Sequence, residues 1–142
     1  MADAERALVT GLVAAVRSAI APVEIYPDLA PQEETPVGAS FPYVTFEVEA
    51  DDDSSKTERA QVYRVSFDVA SRSTARDYGD AIDIAGQLYD LLHVNAVPFA
   101  APFAVTGWNL WQAVFIDKVR YIDKDGITRH IAADFLIGLE EQ

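Results

Sequence analysis

Apolar positions along the chain follow two different periods. From residue 2 to 20 they recur every three or four residues, and Leu8, Leu12, Ala15, Val16 and Ala19 form one stripe, which predicts a helix. Asp3 and Glu5 fall in its first turn and Arg17 near its end, the arrangement the helix dipole favours. Pro22 cannot continue it. A second helical stripe runs over 74–92 through Tyr78, Ala81, Ile82, Ala85, Leu88, Tyr89 and Leu92. Thr74 with Asp77 resembles a capping box, and Gly79 and Gly86 are read as points of close packing.

Elsewhere the period is two. Over 61–70, Tyr63, Val65, Phe67 and Val69 share one face while Arg64, Ser66 and Asp68 share the other. Residues 43–50 alternate in the same way, and an acidic stretch beginning Asp51-Asp52-Asp53 separates the two, so the pair reads as an antiparallel hairpin with a polar tip. Val23 to Tyr26 is a candidate short strand. Pro27, Pro31, Pro36 and Pro42 mark 27–42 as a loop. After Pro98 and Pro102 a β-prone stretch covers 103–122, and Asp123-Lys124-Asp125-Gly126 is a turn signal. A last strand, 127–139, follows, with Ile131, Ala133, Phe135, Ile137 and Leu139 on one face and His130, Asp134 and Gly138 on the other. The order α-β-β-β-α-β-β predicts an α+β fold: a single antiparallel β-sheet with a long hairpin, and two helices packed on one face. The length of 142 residues suits one domain spanning 1–142.

Composition narrows the function. Acids outnumber bases 23 to 11, for a net charge of −12. Phosphate recognition needs a basic face, so a nucleic-acid reader is disfavoured, as is an anionic membrane surface. The acidic start without a basic stretch predicts no signal peptide, and no apolar run approaches the length of a membrane span. The absence of cysteine excludes disulfides, a thiol nucleophile and Cys-based zinc sites.

No catalytic constellation stands out. His93 follows the second helix and reads as a helix-end residue. His130 and Asp134 lie four apart on one strand, roughly 13 Å, and cannot touch along it. The acidic run lacks the spacing and glycine of a calcium loop, and neither a nucleophile elbow nor a phosphate loop is present. No catalytic, cofactor or metal residue is expected. An enzyme or small ligand-binding α+β domain would have to rest on His130, Asp134, Arg120 and Arg129 in the final hairpin.

Two features are unusual for a lone monomer. Residues 27–58 hold nine acids (Asp28, Glu33, Glu34, Glu47, Glu49, Asp51, Asp52, Asp53 and Glu58) against one base, Lys56. Such a surface repels a polyanion or receives a basic partner. In addition, no charge occurs from 94 to 116, a stretch that holds Phe99, Phe103, Trp108 and Trp111. These four aromatics are expected to include residues of a subunit or partner interface.

The string Phe41-Pro42-Tyr43-Val44-Thr45-Phe46 follows a proline-rich approach from Tyr26 to Pro31. The strand Tyr63 to Val69, the helix with Tyr78, Ala81, Ile82, Ala85 and Leu88, the Tyr121-Ile122-Asp123 turn and the strand from Arg129-His130 to Phe135 come after it. This succession resembles the tail completion or tail terminator proteins of long-tailed, lambda-like phages and of gene transfer agents, over nearly the whole chain. The resemblance implies a non-enzymatic virion protein without cofactors, made in the bacterial host cytoplasm. It would form a homo-hexameric ring at the head-proximal end of the tail tube, stop tube polymerisation and join the head–tail connector or stopper. DNA would pass through the lumen without specific binding. On this reading Glu47, Glu49, Asp51, Asp52, Asp53 and Glu58 are candidates for lining the lumen. A neighbouring neck role, as head–tail adaptor or stopper, is the alternative.

Overall fold

A computed structural model describes residues 4–21, 23–27, 42–50, 60–71, 79–93, 103–122 and 128–142. The elements run α1 (Ala4–Ile20), β1 (Glu24–Pro27), β2 (Tyr43–Ala50), β3 (Ala60–Ser71), α2 (Gly79–Leu92), β4 (Trp108–Ile122) and β5 (Arg129–Glu141). This is the expected α+β order. The five strands form one sheet in the order β1-β2-β3-β5-β4.

The predicted hairpin is β2–β3, antiparallel from Tyr43↔Ala70 to Ala50↔Tyr63. β5 lies between β3 and β4 and is antiparallel to both. The sheet departs from the expectation at one edge, where β1 runs parallel to β2, with Glu24 opposite Tyr43. A parallel neighbour needs a long connection, and the proline-rich segment 28–42 supplies it. Its length was visible in the sequence, but the strand direction it permits was not.

One face of the sheet carries the core. Ile25, Val44, Phe46, Val65, Phe67, Val69 and the odd positions of β5 from Ile131 to Leu139 are buried together with the inner stripes of both helices. α2 packs over β3, β5 and β4, and α1 packs against α2 and β1. In α1 the buried residues are Ala4, Leu8, Leu12, Val16 and Ile20, a strict spacing of four, and Ala19 is exposed. In α2 they are Ala81, Ile84, Ala85, Leu88 and Leu92. Ile82 and Tyr89, part of the predicted stripe, sit at its exposed margin.

An aromatic row crosses the sheet at mid-height. Phe46 meets Phe67, Phe67 meets Phe135 and Phe135 meets Phe115, each with ring centroids 5.7 Å apart. Tyr89 of α2 closes the row on Phe115 at 5.4 Å. Each such pair adds about 0.5–1.5 kcal/mol beyond its buried area. The row joins β2, β3, β5, β4 and α2 through side chains that are far apart in sequence.

Gly86 is exposed, and a Cβ there would meet nothing within 4 Å, so it marks no close approach. The close approach lies at Gly11 instead, where a Cβ would stand 2.5 Å from the Ala104 carbonyl oxygen. α1 is thereby pressed onto the segment that leads into β4. A tight turn follows, in which Trp108 N–H donates to the Val105 carbonyl at 3.0 Å. Gly107 occupies a φ of 86° there, which L side chains rarely adopt.

Candidate functional site

The helices cover only one face of the sheet. Each residue on the opposite face follows from the period of two and the strand register. On β2 it carries Thr45, Glu47 and Glu49; on β3, Arg64, Ser66 and Asp68; on β5, His130, Ala132 and Asp134. Glu47 and Glu49 are exposed. Asp51, Asp52, Asp53 and Glu58 lie outside the described residues, and so does Phe99.

Two polar clusters stand on this face. Arg64 forms a hydrogen-bonded ion pair with Asp134 across β3 and β5. That hydrogen bond, followed by the charge of Asp134, raises the Arg64 pKa above its ordinary value. The second cluster centres on Asp68. His130 Nδ1 lies 3.0 and 3.1 Å from its two carboxylate oxygens, and the Tyr121 hydroxyl donates to Oδ2 at 3.0 Å. An ionised carboxylate can only accept, so the His130 tautomer that hydrogen-bonds to one here is that with the proton on Nδ1. The imidazole also stacks on the Tyr121 ring at 4.5 Å, with an interplanar angle of 2°. This cluster ties together β3, β5 and β4. It borders a shallow cavity of about 220 Å³ lined by Thr45, Glu47, Ser66, Asp68 and Tyr121, among others.

The sequence pattern placed His130 with Asp134, but the fold separates their roles. Asp134 goes to Arg64, and His130 takes Asp68 from a strand 62 residues away in sequence. Only the β3–β5 register reveals that pairing. His93 ends α2 as expected. It accepts a hydrogen bond from the Phe115 backbone N–H at 3.0 Å through Nδ1 and stacks on Tyr89 at 4.7 Å, locking the helix end to β4. Among the described residues no group of three or more His, Asp or Glu is placed to hold a metal ion. Among the described residues no helix is long and apolar enough to cross a membrane.

The four aromatics expected at an interface part company. Phe103 and Trp108 are 8% and 2% exposed and belong to the chain's own core, which leaves them little surface to offer a partner. An uncharged stretch reads alike whether it faces a core or a neighbour. Trp111 is 45% exposed. Its ring lies over Gly138, where a Cβ would approach it to 2.6 Å, so the absence of a side chain at 138 makes its bed. Alternation from inward Leu110 places it on the uncovered face, and the β-bulge between Leu110 and Gln112 puts Gln112 on that face too.

The largest apolar exposure among the described residues was not foreseen. The second half of β4 carries Ile116, Val119, Tyr121 and Ile122, between 39% and 54% exposed. A second bulge separates Phe115 from Asp117 at the start of this segment. Past this bulge the register sets Lys118 and Arg120 opposite Ala133 and Ile131, so cations take the inward positions, which plain alternation from Phe115 does not show. A strand that seats cations on its inward positions has left the helices' cover. Edge strands exposed along such a length are ready to pair with another chain.

Comparison with known proteins gives these surfaces a context. A chain in the structure of the virion of a native gene transfer agent particle superposes with a TM-score of 0.73 at 16% identity, covering 99% of both chains. A second solved structure superposes with a TM-score of 0.60 at 13% identity, covering 97% of this chain and 92% of that one. At these identities the likeness is one of fold. No curated protein matches the sequence. The profile of one family, described as tail completion protein gp17, does match it over residues 6–140, and with nearly the full length aligned the chain belongs to that family.

Proposed function

We propose that this tail completion protein is a tail terminator. It assembles as a hexameric ring on the head-proximal end of the tail tube, halts tube polymerisation and offers its other side to the head connector or stopper. The carrying observation is the family match over residues 6–140. Two features of the molecule support the reading. The uncovered sheet face presents Glu47 and Glu49 at the base of the acidic hairpin, and acids lining a lumen repel DNA so that it slides through without adhering. The edge strand β4 supplies a long, partly apolar surface for contact with another subunit. On this reading the protein is non-enzymatic, and the Asp68, His130 and Tyr121 cluster braces β3, β5 and β4 rather than acting on a substrate.

The test is the molar mass in solution by light scattering, with and without purified tail tubes, together with electron microscopy of the tube ends. Hexamers, or tubes capped at one end, are the expected result. A chain that stays monomeric and ignores tubes would overturn the terminator role and move the assignment to a neighbouring neck position.

A further inference from the structure

The two outer strands of the sheet are managed differently. β1 has four residues and ends in Pro27. β4 has 15 residues and no proline, and its second half is exposed on both faces. The register shows how these two edges lie relative to each other. Tyr26 is level with Thr45, Thr45 with Asp68, Asp68 with Ala132, and Ala132 with Val119. The short strand β1 therefore sits at the same height as the bare half of β4, on the opposite side of the sheet. The directions are also complementary. β5 is parallel to β2 through two antiparallel steps, and β4 opposes β5, so β1 and β4 run antiparallel.

Charge separates the two edges as well. The exposed half of β4 carries Lys118 and Arg120 against one acid, Asp117, whereas β1 and β2 expose Glu24, Glu47 and Glu49 and contain no base. We propose that Ile116–Ile122 of β4 receives the β1–β2 edge of a second copy of this chain, extending the sheet from one subunit to the next by an antiparallel β4–β1 pair. The contact joins unlike surfaces, so it is heterologous and propagates head to tail around a ring. It buries Val119 and Ile122 and pairs the outer edge of β4, beside which no strand lies among the described residues. The edges that meet carry opposite net charge, although the cations stand on the helix face and the acids on the uncovered face. The inference rests on the ring reading and names the contact that closes the ring.

The absence of native cysteine makes a direct test possible. Two single-cysteine chains, Val119→Cys and Tyr26→Cys, are mixed, assembled with tail tubes and treated with a short bismaleimide. A cross-linked dimer in the mixture, and none from either chain alone, is the expected result. Dimers from Val119→Cys alone would overturn the proposal in favour of symmetric β4–β4 pairing. Rings of normal mass with no cross-link in the mixture would overturn it while leaving the ring intact. Absence of any ring or tube capping by the wild-type chain would sink the ring reading itself, and this interface with it. As a second measure, Val119→Asp should keep the wild-type melting temperature yet weaken assembly by roughly tenfold or more. Wild-type assembly by a folded Val119→Asp chain would also overturn the proposal.

Discussion

β4 and β5 are partners in one antiparallel pair, close in length and both rich in apolar residues, yet they meet opposite environments. From Ile131 to Leu139 every second residue of β5 is at most 2% exposed, because β5 is flanked by β3 and β4 and roofed by α2. β4 shares that roof only in its first half, where Trp108 and Ala113 are buried and Phe115 joins the aromatic row. Beyond the bulge at Phe115 the same strand exposes Val119 and Ile122 at 54% and 52%. Burial thus depends less on a strand's own apolar content than on whether a neighbour lies beside it and a helix above it. In this protein the flanked and roofed strand β5 carries the core, and the outer half of β4 is left bare.

The contrast can be broken most severely at Phe135, which packs against both Phe67 and Phe115. Phe135→Ala should cost about 3–5 kcal/mol, read from the denaturant midpoint. A loss below about 1 kcal/mol would mean that β5 does not hold the sheet together. Gly11→Ala probes the covered approach to β4. The new methyl would meet the Ala104 carbonyl, a backbone atom that cannot swing aside, so a cost of about 1–3 kcal/mol is expected, with the same assay as the check. Gly86→Ala should act in the opposite direction. It lies in an exposed part of α2 with open space at its Cβ position, and a gain of about 0.5–1 kcal/mol in thermal unfolding is expected. Val119→Ser should change monomer stability by no more than about 0.5 kcal/mol. A drop as large as that at Phe135 would show that the outer half of β4 is core after all.

Much of this architecture was legible before any coordinates. Alternation in β2, β3 and β5 is unbroken, so the inward residues could be named from the sequence. Both helices announced themselves through their stripes, although their margins were read too generously at Ala19, Ile82 and Tyr89. The site was harder to see. Trp108 and Trp111 stand three residues apart in one uncharged stretch, an odd spacing that puts them on opposite faces of a strand, but which face the helices cover depended on the tertiary fold. His130 could be placed on the polar face, but its partner Asp68 depended on how β3 aligns with β5.

The sequence by itself determined the local periods, and with them the element types, their order and the inward faces of β2, β3 and β5. It also set the acidic bias of the hairpin. These are short-range properties, fixed by side-chain spacing along a helix or strand. Only the tertiary structure decided the direction of β1, the insertion of β5 between β3 and β4, and the exposure of the second half of β4. Those outcomes depend on strand pairing between distant segments and on how far α2 reaches across the sheet, and no local pattern encodes either one.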